Sequence, residues 1–170
     1  ASRERREPGG PSGPLRHGLI LPPRSLPGAP TGHERNLPMK DSPVAFQTIS
    51  ALPFDQAVAR AREALSKEGF GVLTEIDVQA TLKKKLDVDR EPYLILGACH
   101  PPSAHRALEA APEVGVLLPC NVTVSVENGM TVVRAMDPAA VMGLLALPAL
   151  ASVGQEIGEK LRRVVDTCRG

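Results

Sequence analysis

The chain has 170 residues, enough for one domain of ordinary size and too few for two. It carries 20 basic and 19 acidic residues, a net charge of +1, with 42% hydrophobic and only 2% aromatic residues. This composition excludes a collagen, a coiled coil, a disulfide-built fold and a membrane span. It also argues against nucleic-acid binding, which draws on a basic surface and on aromatic side chains that stack with bases.

Residues 1–38 differ from the rest of the chain. They contain eight of the 17 prolines and six of the 15 glycines, with six Arg against three Glu, whereas residues 39–170 contain 14 basic and 16 acidic side chains. The first segment has too few apolar residues to offset the entropy lost on ordering. We therefore expect a disordered Pro/Gly/Arg-rich arm over residues 1–43 and a single domain over residues 44–168. Met39, directly after Pro38, is a candidate start, and whether residues 1–38 belong to the native protein stays open.

Hydrophobic periodicity predicts four elements in the first half of the domain. A strand, a helix, a strand and a short helix are expected over Val44–Ser50, Phe54–Glu68, Phe70–Ile76 and Val78–Leu86. Gly69 is placed where a helix end favours positive φ, and Asp77 is placed to cap the short helix. In the second strand, simple alternation would put Phe70, Val72, Thr74 and Ile76 on one face.

Six further elements are predicted in the second half. They are a strand, a helix, two strands and two helices, over Tyr93–Cys99, residues 101–111, Gly115–Val126, Met130–Met136, Ala139–Leu145 and residues 148–168. Asn128-Gly129 predicts a type I′ hairpin between the two consecutive strands. The order β-α-β-(α)-β-α-β-β-α-α indicates an α+β fold with a mainly antiparallel sheet and helices packed on one side.

Several short motifs occur in a fixed order along the domain. They are Glu68-Gly69-Phe70-Gly71-Val72, Thr74-Glu75-Ile76-Asp77, Ala80-Thr81-Leu82-Lys83, Gly97-Ala98-Cys99, Ala104-His105-Arg106-Ala107-Leu108, Leu117-Leu118-Pro119-Cys120-Asn121-Val122 and Ala135-Met136-Asp137-Pro138. Together they resemble the family called domain of unknown function 302 (DUF302), over about residues 49–165. The resemblance implies an α+β fold similar in topology to the TATA-box-binding protein, a homodimer, and no established reaction. The family usually has Asn after the first cysteine of the motif set, where this chain has His100.

Cys99 and Cys120 each stand at a strand end or bend close to a proline. If their strands are neighbours, the two thiols could form a redox, nucleophilic or soft-metal site, or both could be buried packing residues. Their spacing matches no metal motif, so no metal site is predicted. Cys168, on the inner face of the last helix, is expected to pack in the core. Three cysteines are too few for a disulfide scaffold, which points to a reducing compartment, the cytoplasm.

Four other residues are candidates for a site near the two cysteines. His100 and His105 could serve as ligand contacts or as a base, although a helix histidine bonded to a backbone carbonyl is the plainer interpretation of His105. Asn121 is a polar residue in an apolar strand, either satisfying a bulge or donating to a ligand. Glu75 precedes no helix that it could cap, so it could be a pocket carboxylate.

The sequence therefore predicts a cytoplasmic homodimer that binds a small ligand near Cys99, His100, His105, Cys120, Asn121 and Glu75. Two alternatives stay open: a thiol-dependent enzyme using Cys120 or Cys99 with His105 or His100 as base, and a structural or interaction module. No cofactor is identified. No nucleic-acid or membrane partner is expected, and the reaction or ligand is not named by any motif.

Overall fold

The computed structural model describes residues 42–145 and 147–170. Within these ranges one sheet contains the strands β1 (Ala45–Ser50), β2 (Gly71–Asp77), β3 (Tyr93–Cys99), β4 (Cys120–Glu127) and β5 (Met130–Met136). The α-helices are α1 (Phe54–Lys67), α2 (Val78–Leu86), α3 (Pro101–Ala110), α4 (Pro138–Gly143) and α5 (Pro148–Thr167). A 3₁₀ helix, Pro112–Leu117, follows α3. The element order confirms the predicted α+β fold, and the predicted arm falls outside the described residues apart from residues 42 and 43.

The sheet has the strand order β1-β5-β4-β3-β2, and all neighbouring strands are antiparallel. Residues directly opposite each other in such a sheet share a face. Leu96 opposite Val122 and Val124 opposite Val133 are therefore on one face, and all four are fully buried. Helices α1, α3, α4 and α5 contribute buried residues to the same core cluster, so the core lies between this face and the helices.

Helix α5 is the long element of the helical layer. Its buried residues recur at intervals of one to four residues on one face and continue past its end: Leu150, Val153, Gly154, Ile157, Gly158, Leu161, Val164, Val165 and Cys168. The helix contacts α1, α3, α4, β1 and β5. The predicted packing role of Cys168 is confirmed, since it is 0% exposed.

The predicted strand from Gly115 to Val126 is wrong in its first part. Pro112 instead opens the 3₁₀ helix, in which the Leu118 N–H donates to the Gly115 carbonyl. Only Val114 of this segment is buried, so a single apolar anchor replaces the expected alternation. The strand itself begins at Cys120, after the cis peptide bond between Leu118 and Pro119.

Strand β2 does not keep the alternation predicted for it. Val72 is opposite Ala98, but Thr74 is opposite Gly97, so Leu73 is an extra residue that forms a β-bulge. The bulge reverses the faces after it, and Ile76 ends 48% exposed on the face away from the core. Phe70 is buried, so it and Ile76 do not form the common face that was expected.

The predicted cap at Asp77 and the predicted turn are confirmed by hydrogen bonds and dihedral angles. Asp77 accepts from the Ala80 N–H at 2.8 Å at the start of α2. Asp137 accepts in the same way from the Ala139 and Ala140 N–H groups at the start of α4. Asn128 and Gly129 both have positive φ, as a type I′ turn requires. These features could be predicted because each one depends only on residues close in sequence.

The face of the sheet away from the core carries a polar network, the Arg134 network. Arg134 pairs through two nitrogens with the carboxylate of Glu127, and its Nε donates to Gln47 Oε1 at 3.0 Å. Ser125, which is 0% exposed, donates to Glu127 Oε1 at 2.8 Å. The Arg134 guanidinium lowers the pKa of Glu127. The network links β1, β5 and β4 across the sheet.

Candidate functional site

A small pocket lies where the end of β3 and the first turn of α3 meet α5. Its apolar lining includes Ala107, Met142, Val153 and Ile157. Three predicted site residues, Cys99, His100 and Cys120, also line it. The cavity volume is about 20 Å³, room for about one water molecule. The pocket can therefore admit a terminal group such as a methyl, with the rest of any ligand outside it.

Cys99 and Cys120 reach this region from neighbouring strands but on different faces of the sheet. Strands β3 and β4 are paired, and Cys120 is directly opposite Ala98. Cys99 is the next residue of β3, so its side chain leaves the sheet on the other side. Cys120 is buried, Cys99 is half-buried, and both are unpaired. Alternation therefore directs the two side chains to opposite faces at the end of β3, and both residues still belong to the pocket lining.

The buried cysteines are poor nucleophiles in this fold. Burial, and to a lesser extent the nearby Cys99, raises the pKa of the Cys120 thiol to about 11. Burial likewise raises the pKa of Cys168 to about 11. Because the thiolate is the reactive form of cysteine, both are protonated and inert at neutral pH. Cys99 is the remaining thiol with solvent access.

His100 lies at the junction of β3 and α3 and is held by a polar network. It occupies the N-cap position of α3 without capping a backbone N–H, and its Nδ1 lies 2.9 Å from Ser103 Oγ. Ser103 is 1% exposed and donates to Glu156 Oε1 of α5 at 3.1 Å. Arg106 donates to Ser103 Oγ at 3.1 Å and also pairs with Glu156. These four residues, the His100 cluster, connect the first turns of α3 to α5.

Gly69 and Phe70 pack against the imidazole ring. The Phe70 and His100 ring centroids are 5.5 Å apart, with the rings tilted by 59°. Gly69 has φ +84°, a left-handed conformation that favours glycine. A Cβ at this position would lie 3.2 Å from both Nε2 and Cδ2 of His100. The glycine thus closes the end of α1 and leaves space beside the Nε2 edge of the ring.

The surroundings of His100 favour its neutral form. Burial, followed by the charge of Lys160, lowers the pKa of the imidazole from its ordinary value of 6.5. Glu156 opposes this effect and Arg106 adds to it. Lys160 itself donates to the Glu68 carbonyl oxygen at 3.2 Å. At physiological pH the ring is therefore uncharged, with one nitrogen protonated and one bearing a lone pair.

Comparison with known proteins identifies the family. The family model "Domain of unknown function DUF302" matches residues 46–168. The chain belongs to the DUF302 family. It is also similar to a solved structure, the crystal structure of an uncharacterized conserved protein DUF302 from Bacillus stearothermophilus, with 32% identity and a TM-score of 0.70. That match covers 74% of this chain and 98% of the other. Comparison with curated proteins gives no match.

Three of the candidate residues lie outside the pocket of this DUF302 domain. His105 is exposed on α3 and does not line the pocket. Asn121 is opposite Gly97, so it leaves the sheet on the face away from Cys120 and is exposed. Glu75 is exposed and pairs with Arg62 of α1 through two bonds of 3.0 and 2.7 Å. Of the six candidate residues, the structure therefore brings Cys99, His100 and Cys120 to the pocket lining and leaves His105, Asn121 and Glu75 outside it.

The residues that hold His100 were missed by the sequence reasoning. Leu108 of α3 is 40% exposed, whereas Ser103 is buried in the helix layer. Ser103 stands three residues after His100, a spacing at which an N-cap side chain and the third helical residue meet. That signal was available in the sequence. Glu156 lies 53 positions beyond Ser103, and no local signal links them.

Within residues 42–145 and 147–170, no group of three or more His, Cys, Asp or Glu side chains is arranged to hold a metal ion. No helix in these ranges is long and apolar enough to cross a membrane.

Proposed function

We propose that this DUF302 domain binds a small molecule at the His100 end of the pocket. The observation that carries the proposal is a neutral, half-buried imidazole held in place at the edge of an otherwise apolar pocket. Ligand sites combine an apolar surface with a few fixed polar groups that set orientation. The small cavity volume means that an apolar end group of the ligand enters the pocket while its polar group meets His100.

Binding is better supported than thiol chemistry. A catalytic cysteine needs a thiolate, and burial keeps the Cys120 thiol protonated. The Nδ1 nitrogen of His100, the nearest candidate base, is engaged with Ser103 rather than with a thiol. Cys99 has solvent access and lines the pocket, so any thiol reaction at this site would use Cys99.

A fragment screen with a blocked variant tests the binding proposal. Ala104 lines the pocket and is half-buried, so Ala104→Leu should fill the mouth of the pocket without disturbing the core. Ala110, exposed at the end of α3, gives the matched control Ala110→Leu. We expect fragments that shift the Met142 methyl signal of the wild type and the control but not of Ala104→Leu. Equal binding to both variants, or no fragment that moves Met142, would contradict the proposal.

We also propose that the domain forms a homodimer through an apolar surface beside α4. Leu144 is 82% exposed and Val116 of the 3₁₀ helix is 84% exposed, and α4 contacts this 3₁₀ helix. Leu108 of α3, 40% exposed, adjoins the same helix next to Gly115. Exposed apolar groups that cluster in this way are typical of interfaces.

The three unpaired cysteines support a reducing compartment such as the cytoplasm.

Sedimentation of the full chain tests the dimer. We expect a dimer at micromolar concentration for the wild type and a shift toward monomer for Leu144→Glu with Val116→Glu. Leu86→Glu, which changes a side chain 66% exposed on α2, is the control and should leave the dimer intact. A monomeric wild type at micromolar concentration would contradict the proposal.

A further inference from the structure

The proton positions in the His100 cluster follow from counting donors and acceptors at one oxygen. Ser103 Oγ has three neighbours, His100 Nδ1, Glu156 Oε1 and Arg106 Nη2, at 2.9, 3.1 and 3.1 Å. A serine hydroxyl has one proton to donate and two lone pairs to accept with. Arginine only donates and an ionised carboxylate only accepts. Ser103 must therefore donate its single proton to Glu156, because an ionised carboxylate cannot donate and the two oxygens would otherwise face each other without a proton between them.

The two lone pairs of Ser103 Oγ are then filled by donors. One accepts from Arg106, and the other faces His100 Nδ1. Nδ1 must carry a proton to make this contact a hydrogen bond. If Nδ1 were the bare nitrogen, the Ser103 proton would be drawn away from Glu156, and two oxygens would face each other at 3.1 Å with no proton between them. In the neutral imidazole, Nε2 is then the nitrogen with the lone pair.

Nothing in the described part of the chain donates to that lone pair. No hydrogen bond to Nε2 occurs within residues 42–145 and 147–170. Gly69, whose own N–H donates to the Ser66 carbonyl at 3.0 Å, packs beside the Nε2 edge of the ring. Gly69 has no Cβ, so no side chain from this position occupies the point 3.2 Å from Nε2. The ring lines the pocket and is half-buried, so this lone pair is available to a molecule that enters there.

We infer that Ser103, Arg106 and Glu156 fix His100 in the Nδ1–H tautomer, and that the site takes a small apolar molecule with a neutral hydrogen-bond donor, such as a hydroxyl group, that donates to Nε2. The ligand class rests on the proposed function, whereas the tautomer does not. A carboxylate has no proton to offer this nitrogen, and a ketone has none either. The charged groups that face the ring are Arg106 of α3, Glu156 and Lys160 of α5. Glu68, at the end of α1, contacts Lys160 through its backbone carbonyl, and its carboxylate pairs with Arg163.

The tautomer is tested by long-range ¹H–¹⁵N NMR on the full chain at pH 7.5. The His100 signals are assigned by their loss in His100→Asn. We expect a protonated Nδ1 and a bare Nε2 in the wild type. Glu156→Ala removes the acceptor of the Ser103 proton, so this variant should move the equilibrium toward the Nε2–H form. Glu159→Ala, on the exposed side of the same helix, is the control and should change nothing.

Two outcomes of this measurement would overturn the assignment of the Nδ1–H tautomer to His100. One is a wild-type ring that is mainly Nε2–H. The other is a Glu156→Ala ring identical to the wild type. Ser103→Ala gives a second variant, in which the preference should be lost, and Ser125→Ala is its control on the other face of the sheet. A thermal melt of each variant verifies that the fold is intact.

The ligand class is tested with three probes of similar size, 1-propanol, acetone and propionate. We expect 1-propanol to shift His100 Nε2 and the Met142 methyl and to bind about tenfold more tightly than acetone, as expected for one hydrogen bond. Propionate should bind no better than acetone. Tighter binding of propionate would show that Lys160 and Arg106 select an anion, and would overturn the donor assignment. Binding by none of the three probes would overturn the proposed function and the ligand class together, while the tautomer measurement would stand by itself.

Discussion

Two polar networks in this protein have nearly the same chemical composition and very different settings. The His100 cluster joins an arginine, a glutamate and a serine to a histidine, and it connects two helices beside the pocket. The Arg134 network joins an arginine, a glutamate and a serine to Gln47, and it crosses three strands. In the His100 cluster, the serine oxygen is the central atom and contacts three partners. In the Arg134 network, the glutamate carboxylate is central, and the serine contacts only this carboxylate.

The difference lies in what surrounds each glutamate and in where the remaining polar atoms face. In the Arg134 network the central carboxylate is surrounded by donors, and the Arg134 side chain is 27% exposed, so the group is partly shielded from water. In the His100 cluster the glutamate is at the edge of the network. The serine oxygen contacts Nδ1 of the imidazole, and the second ring nitrogen, Nε2, faces away from the network. Only the His100 cluster therefore presents an unused polar atom toward a pocket.

The largest effect is expected in the reactivity of the cysteines on the two sides of the sheet. Cys120, on the covered face, should react with iodoacetamide about 100-fold more slowly in the folded chain than in urea, because its pKa is about 11 instead of 9.0. Cys168, also with a pKa of about 11, is the matched buried control and should behave similarly. Cys99 should react first. Mass mapping of the folded protein that finds Cys120 labelled before Cys99 would contradict this arrangement of faces.

The next largest effect should be a difference in the free energy of unfolding between variants of the two glutamates. Glu127→Ala leaves the partly buried Arg134 without its carboxylate and should lower the free energy of unfolding by about 2 kcal/mol. Glu156→Ala breaks a pair whose side chains are 54% and 40% exposed and should cost less than about 1 kcal/mol. Urea unfolding of both variants measures the difference. Equal losses would show that the two networks contribute alike to stability.

A smaller effect is expected at two glycines, one beside each network. Gly69→Ala places a methyl group 3.2 Å from the His100 ring and strains a φ of +84°, so it should cost about 1–2 kcal/mol and shift the His100 signals. Gly129→Ala strains a similar φ of +75° in the hairpin next to Glu127. Its cost should be near 1 kcal/mol with the His100 signals unchanged. A shift of those signals in Gly129→Ala would mean that the two regions are coupled.

The smallest effect is the dependence of stability on pH. Because the folded-state pKa of His100 is lowered, its contribution is complete above about pH 6.5 and is lost as the pH falls from that value through the folded pKa. The half-exposed ring limits this loss to well under about 1 kcal/mol. Glu68, Glu127 and Glu156 have pKa values lowered from 4.5, so their contributions are lost only below that pH. Unfolding at pH 7.5 and 5.5 should therefore show a larger drop for the wild type than for His100→Asn. The same drop in both chains would remove His100 as its cause.

The sequence allowed the order of elements, the Asp77 cap and the Asn128-Gly129 turn to be predicted because these depend on local patterns. The pairing of β3 with β4 stayed a condition in the sequence analysis, and the register of that pair could not be predicted. Cys120 lies opposite Ala98, and a shift of one residue decides which face each cysteine occupies. The bulge at Leu73 has the same effect on β2, since it reverses the faces of every residue after it.

The candidate site was predictable only where it follows the β3–α3 junction. Cys99, His100 and Cys120 belong to motifs next to prolines, and all three line the pocket. Glu156 was missed because α5 reaches the site through tertiary packing, which no pattern within one helix specifies. Asn121 was included as a polar residue in an apolar strand and Glu75 as a carboxylate with no helix to cap, and the sheet placed their side chains elsewhere.

The bulge in β2 also bears on how copies of this protein can meet. Strand β2 is an edge of the sheet, and a regular edge presents an unbroken row of N–H and C=O groups to which a strand of another chain can add. The extra residue at Leu73 interrupts that row and twists the edge. Sheet extension across β2 is therefore disfavoured, which protects this edge against open-ended stacking of strands from other chains.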